Sequence, residues 1–496
     1  MRSITNIIQT RPWFIFLLPI FLVLHIEKNY TGLIAYKLVW FPILLLFLTA
    51  ALIYLLILLL TRDKKKSAAY TFLVLVPYYF FADVKDWLHE QYPNAWFSRY
   101  IFVLSALTVL SILAISYIRR DPTRIARLFL FANLLLLISV VVDAGTILLK
   151  KVSQSATANL VKLEPCANCK RPDIYYLVFD AYPSGELLKK EFAYDNHDLD
   201  SFLLQKGFFI ARNSKSNYNF TAYSMASIFN MDYVPAPDSQ HLLTLRGMLP
   251  GIEKVKLASI FPAMESLGYK IYNHSIFDIK GNPTNTRQFD IWELSELYNR
   301  HQLPWKMVMD TWWNFKFLEN LEIDKNQAEA YIKARDLNFA STIAAVAETA
   351  KLKDTMPKFV YAHSLIPHPP MSYDSIGNHV PFKKYTPEED KAAFLQQLIF
   401  ANSVIRKMVN NILSENRREC IIILQGDHAY RFFDLTKKME EFQNLNAWYF
   451  PNRDYHLLND SLTSVNSFRL LLNARFGQKL PVLKDSCIFL PYRLSF

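Results

Sequence analysis

The hydrophobic pattern changes character near residue 150. Before that point, long apolar runs are separated by short charged loops; after it, short strand-like apolar runs alternate with amphipathic stretches. Five runs lie in the first part, at 13–26, 38–61, 68–82, 100–117 and 128–149. A membrane span needs about 20 apolar residues. The second, fourth and fifth runs meet that length, and the first and third need flanking residues or neighbours to complete them. No small-residue cleavage site follows the first run, which continues LHIEKNY, so it reads as a retained span rather than a signal peptide. The pattern therefore predicts a five-span helical membrane domain over residues 1–150. Asp143 sits inside the fifth run, where an acid is a functional candidate that also lies near enough to the outer end to reach the interface.

Charge in the loops orients these spans. Arg62, Lys64, Lys65 and Lys66 follow the second run, and Arg119, Arg120, Arg124 and Arg127 follow the fourth. With Arg2 and Arg11 they mark the cytoplasmic side. The N-terminus is then cytoplasmic and everything after the fifth span lies outside, as in a multi-pass protein of a bacterial inner membrane.

Residues 151–173 form a polar linker, and residues 174–496 read as a layered α/β domain. Buried strands are expected at 174–179 (IYYLVF), 269–277, 358–362 (KFVYA), 420–425 (CIIILQ) and 446–450. Helices are expected at 198–206, from 221 onward, and at 254–266, 327–351, 387–416 and 464–476. Strand and helix alternate, which argues a largely parallel central sheet. Residues 278–323, with Trp292, Trp305, Trp312 and Trp313, read as an aromatic-rich insertion over the site or against the membrane.

Composition narrows the class. The 496 residues are 52% hydrophobic and 15% aromatic, more than a soluble enzyme needs. The formal net charge of +11 would fit a nucleic-acid partner, but the basic residues cluster where topology requires them, so no nucleic acid is expected. Four cysteines are too few for a disulfide scaffold. Cys166 and Cys169 read either as a small disulfide in an oxidising compartment or as half of a metal site. Only Cys420 and Cys487 remain to supply the second half.

The strand ends carry the chemistry. The run at 420–425 stops at Gly426 and delivers Asp427 and His428 side by side, where open α/β sheets place their ligands. The run at 174–179 ends in Asp180. The run at 358–362 leads into His363 and His368, the second flanked by prolines, a pair suited to facing a phosphate or a metal. Thr221 opens a helix, either as a simple N-cap or as a hydroxyl where backbone N–H groups favour a phosphate. Asp180, Thr221, Asp427 and His428 together offer three oxygens and a nitrogen to one divalent metal (Zn, Mn or Mg), which would activate the Thr221 hydroxyl. His363, His368 and Arg431 are placed to hold phosphate oxygens. Gly-rich phosphate loops, HExxH and GxSxG are absent.

Asp180 at a strand end, TAYS at 221–224, PHPP at 367–370 and GDH at 426–428 resemble the alkaline phosphatase/sulfatase superfamily. Five spans ahead of an outer domain look like its membrane-anchored branch, the phosphoethanolamine transferases and lipoteichoic acid synthases. The resemblance implies an alkaline-phosphatase-like fold and a metal held at Asp180, Thr221, Asp427 and His428. It also implies Thr221 as nucleophile, with His363 and His368 facing the substrate phosphate. The implied activity is transfer of a phosphate-bearing headgroup, of phosphoethanolamine or glycerophosphate type, from a membrane phospholipid donor to an envelope glycan or lipid acceptor. A phosphodiesterase or phosphatase of the same superfamily, and a non-catalytic envelope assembly protein on this fold, are the alternatives. The phosphoethanolamine transferases usually carry Glu where this chain has Asp180, and a further His after the Asp-His pair, which the segment AYRFFDLTKKMEEFQNLNAWYF lacks. Sulfatases use Cys or Ser in a CxPxR-type motif, which TAYSM does not match.

Overall fold

A computed structural model describes residues 8–30, 36–92, 95–156, 163–164, 166, 169–235, 245–287, 298, 302–311, 323–432 and 434–492. The chain forms two compact units. One comprises Met1–Ala156 and Asp290–Ile323, the other Thr157–Phe289 and Asp324–Phe496.

The first unit is helical. Among the described residues, four helices are long and apolar enough to cross a membrane: Trp40–Thr61, Lys64–His89, Tyr100–Arg119 and Pro122–Lys150. The third expected run gains its length from flanking residues, because Asp63 caps the helix by accepting from the N–H groups of Lys65 and Lys66. The first expected span forms the helix Phe14–Asn29, of 16 residues. At 1.5 Å per residue that is about 24 Å, short of a hydrocarbon core of roughly 30 Å. Four spans, not five, are thus of membrane length. The short helix is nevertheless built into the unit. Phe14 packs edge-on against Phe72 and Phe129, each at 5.0 Å between ring centres, and its N–H donates to Asn133 Oδ1 at 2.8 Å. Near its other end Lys28 Nζ donates to Asp143 at 2.5 Å, and His25 Nδ1 lies 3.1 Å from the same carboxylate. Asp143 therefore has partners that tie two helices together. Helix Leu303–Thr311, which carries Trp305, belongs to this unit, and Lys306 pairs with Asp86 at 3.0 Å. Trp292, Trp312 and Trp313 lie outside the described residues.

The second unit holds a six-stranded sheet of order β2-β6-β5-β1-β4-β3. The strands are β1 (Asp173–Phe179), β2 (Phe209–Ile210), β3 (Lys270–His274), β4 (Lys358–Ser364), β5 (Cys420–Gln425) and β6 (Asn446–Tyr449). β5, β1, β4 and β3 are mutually parallel. β6 runs antiparallel to β5, and β2 antiparallel to β6, so the sheet is mixed but mostly parallel. β1, β4 and β5 are buried at every position, as their unbroken apolar runs require for strands covered on both faces. Helices Thr221–Asn230 and Pro387–Glu415 help cover the sheet. The second starts cleanly because Thr386 and Glu389 form a capping box and Pro387 occupies the first turn. The expected helix at 254–266 is split into Leu245–Lys256 and Ile260–Ser266. Cys166 and Cys169 are disulfide-bonded, and Cys420 is buried as a free thiol.

Candidate active site

Three neighbouring parallel strands bring the chemistry to one edge. Phe179 pairs with Ser364 and Val178 with Gln425, so the residues that follow these positions emerge side by side. Gly426 makes the turn out of β5 possible, because a Cβ there would run into the carbonyl of Tyr182. Asp427 then receives the Ala181 N–H at 3.1 Å, which locks the ends of β5 and β1 together.

The metal donors expected from the sequence converge. Around His428 Nε2 lie Thr221 Oγ1 at 3.4 Å, an Asp180 oxygen at 3.5 Å and an Asp427 oxygen at 3.6 Å. Ligands about 2.0–2.1 Å from a tetrahedral zinc stand roughly 3.3–3.4 Å apart, so this set has the spacing of a metal site. Both oxygens of Asp180, one of Asp427 and His363 Nε2 are buried without a hydrogen-bond partner. Buried polar atoms are nearly always satisfied, so four orphans in one cluster point to a shared cation. Buried His363 and half-buried His368 also contribute. Asp180, His368 and His428 form one group of close donor atoms, and Asp180, His363 and Asp427 form another. His363 Nε2 stands 3.7 Å from Asp180. From the sequence His363 and His368 suit a phosphate or a metal; the structure puts their nitrogens among the carboxylates.

Protonation matches this arrangement. His428 Nδ1 faces the Ala429 carbonyl at 2.7 Å and His368 Nδ1 faces the Pro369 carbonyl at 2.6 Å. A carbonyl only accepts, so Nδ1 carries the proton in both rings and Nε2 keeps its lone pair. Burial pushes His428 down to about 4, against the opposing pull of Asp427. Burial also holds His368 below its usual value, with Asp180 opposing and Arg431 assisting. Burial works against ionisation of Asp180, but the positive charge that His368, and to a lesser extent His363 and His428, carry when protonated outweighs it and holds the carboxyl below its usual range. An ionised carboxylate beside neutral imidazoles is the state that metal ligation requires.

Thr221 is 4% exposed and begins its helix, but it is not the N-cap. Phe220 occupies that position and makes no side-chain cap bond, so the Thr221 hydroxyl is left facing His428. Arg431 donates from Nη2 to His428 Nε2 at 2.9 Å, from Nη1 to His368 Nε2 at 3.2 Å and from Nε to the Asn219 carbonyl at 3.2 Å.

Several supporting residues were not singled out in the sequence. Arg335 is buried and donates to the carbonyls of His368 (3.2 Å) and Pro370 and to Ser372 Oγ, with Asp336 beside it at 3.0 Å. Gln397 Nε2 donates to the carbonyls of Pro367 and His368 at 3.0 and 3.2 Å. Together they strap down the PHPP loop and so fix His368. Behind Arg431, Glu441 accepts from Asn219 Nδ2 at 3.0 Å and from the Tyr492 hydroxyl at 2.7 Å. Arg335 did leave a signal. It falls on the buried stripe Ile332, Phe339, Thr342 and Val346 of its helix, where a charge stands out from the apolar pattern.

No protein-family model matches the chain, and no curated protein matches it. Solved structures do. The chain resembles the C-terminal periplasmic domain of EcEptC from Escherichia coli in complex with Zn, at 9% identity and a TM-score of 0.39, covering 63% of this chain and 86% of that one. It is similar to the periplasmic domain of the phosphoethanolamine transferase EptC from Campylobacter jejuni, at 11% identity and a TM-score of 0.37, covering 64% and 92%. A protein of the alkaline phosphatase superfamily from Vibrio parahaemolyticus is similar at 11% identity and a TM-score of 0.34, covering 65% and 73%.

Proposed function

We propose that this chain is a membrane-anchored, divalent-metal-dependent enzyme. It moves a phosphate-bearing headgroup from a phospholipid to an envelope glycan or lipid through a phospho-threonine. The observation that carries this reading is the buried set of Asp180, Asp427, His428 and Thr221, with three orphaned carboxylate oxygens and a hydroxyl at ligand spacing. The described residues fit a divalent cation, which would lower the pKa of the threonine hydroxyl and screen charge on the phosphoryl oxygens. Thr221 Oγ attacks phosphorus, the bond to diacylglycerol breaks, and the threonine proton ends on the leaving alcohol. An acceptor hydroxyl then takes the phosphoryl group and restores Thr221. His363, His368 and Arg431 steady the phosphoryl oxygens during both steps.

Topology supports an outer location. Helix Pro122–Ala156 begins within the basic loop that holds Arg119, Arg120, Arg124 and Arg127, so a cytoplasmic start places its far end outside. That parity holds whether or not the short helix Phe14–Asn29 crosses. We assign residues 151–173 as the linker, whose first residues continue the helix Pro122–Ala156, 174–496 as the catalytic domain, and 278–323 as an insertion in its sequence that contributes Asp290–Ile323 to the first unit.

Full-length protein in detergent should release diacylglycerol from a labelled phospholipid when supplied with Zn²⁺, Mn²⁺ or Mg²⁺. Added acceptor lipid should divert product from free headgroup to conjugate. No turnover of any phospholipid with any of the three metals overturns the proposal, and hydrolysis that no acceptor diverts reduces it to a phosphodiesterase.

A further inference from the structure

Arg431 makes contacts that a simple phosphate clamp does not need. Its two terminal nitrogens donate to the Nε2 atoms of His428 and His368, at 2.9 and 3.2 Å. In both rings Nδ1 is already committed to a carbonyl, so Nε2 offers a single in-plane lone pair. One lone pair cannot serve an N–H group and a cation together. Both imidazoles belong to the donor group that includes Asp180.

The mount of Arg431 leaves these bonds free to change. Nε is anchored on the Asn219 carbonyl, and the guanidinium lies 4.2 Å from the Phe220 ring and 5.6 Å from the Tyr492 ring. Asn219 is held in turn by Glu441 and by the N–H of Leu490. Among the described residues, no carboxylate lies within ion-pair distance of Arg431. The side chain is fixed at its stem and by its faces, while the two terminal nitrogens are bonded only to imidazoles.

We infer that Arg431 is a displaceable occupant of the metal's donor set. It holds both imidazole lone pairs until a divalent cation takes them, and the two freed N–H groups are then presented to phosphate. Metal and phosphate thereby become coupled ligands. The cation releases the arginine fork, and phosphate, by engaging the fork, removes the competitor for the imidazoles. The inference deepens the proposed function and rests on its metal reading.

The test is a Zn²⁺ titration of metal-stripped, full-length protein in detergent, against a chromophoric chelator, with and without inorganic phosphate. Arg431→Met removes both the competing N–H groups and a positive charge beside the two imidazoles. Its zinc affinity should rise about tenfold, the fold-change that releasing one competing hydrogen bond from a charged donor corresponds to. In the native protein phosphate should tighten zinc binding, and zinc should tighten phosphate binding by the same factor. Arg431→Met should lose that coupling. Arg431→Gln provides a second substitution if the Met variant does not fold. A native protein that binds no zinc overturns the metal reading and this inference with it. A native protein that binds zinc while the Arg431 variants bind it equally or more weakly overturns the inference alone, as does phosphate coupling that survives the substitution.

Discussion

Replacing the proposed nucleophile separates chemistry from stability, and the structure sets both magnitudes. Thr221→Ala removes a hydroxyl whose side-chain contact is His428 Nε2 at 3.4 Å, a long hydrogen bond. It removes no helix cap, since Phe220 is the N-cap. It also removes one buried methyl, worth about 0.8 kcal/mol. Alanine is the better helix former by a few tenths of a kcal/mol, which offsets part of that loss. The net cost is about 1 kcal/mol, equivalent to a fall in melting temperature of roughly 2–4 °C or less for a domain of this size. Turnover, by contrast, should fall on the order of 10⁴-fold or more if the hydroxyl forms the covalent bond. Thr221→Ser, which keeps the hydroxyl, should retain measurable activity. The assay is diacylglycerol release beside a thermal melt, with intact-mass analysis after mixing with phospholipid. The native protein should gain a phosphoryl-headgroup adduct on the peptide containing Thr221, and Thr221→Ala should gain none. Thr221→Ala with native turnover would refute the covalent route whatever the melt shows.

Asp427→Asn and His428→Ala should each lose bound metal by elemental analysis as well as activity, because each removes a proposed ligand; full metal content in either variant contradicts the ligand set. Arg335→Met should destabilise the second unit by about 2–3 kcal/mol, since it removes the charged donor that ties the PHPP carbonyls, while Asp336 keeps Ser372 and His379 as partners. A chemical melt within about 1 kcal/mol of native would show that the strap carries no load. Stability should also fall as pH drops from 6.5 toward 4. His274 is buried, and burial pushes its imidazole down to about 4. Between those values the unfolded chain binds a proton that the folded chain refuses. The contribution is therefore complete above pH 6.5 and lost by about pH 4, at most about 3 kcal/mol. His274→Gln should flatten that part of the pH profile, and an unchanged slope in the variant contradicts the assignment.

The legible parts of the molecule were those with local signals. IYYLVF, KFVYA and CIIIL are runs that only a strand buried on both faces accommodates, and each became a central strand. Because each ends in a titratable residue or leads to one, the donors at Asp180, Asp427 and His428 could be read before their geometry was known. Two-residue β2 and helix Gly185–Phe192 escaped, the first because two residues carry no periodicity. The run 13–26 showed apolar character but not that its helix would stop at 16 residues. Of the two readings open for Thr221, the cap fails by one position, because cap preference favours Thr over the Phe220 that takes the place. Gln397 and Glu441 were invisible for a different reason. They are common polar residues acting on partners 29 and 222 positions away, a relation that only the folded chain creates.

The bond from the Ala181 N–H to Asp427 joins positions 246 residues apart. In time rather than distance, this means that β1 is synthesised long before either of its neighbours. At about 5–20 residues per second, roughly 12–50 s pass before β5 leaves the ribosome. Both edges of this apolar segment are open until β4 follows, about 9–37 s after β1, and the edge that takes β5 stays open for the whole interval. The four helices of membrane length are synthesised ahead of it, so the waiting strand is tethered to segments that fold first. Formation of the folded domain is accordingly sensitive to whatever shields an unpaired strand, and slowed translation between β1 and β5 should lower its yield without altering the folded protein.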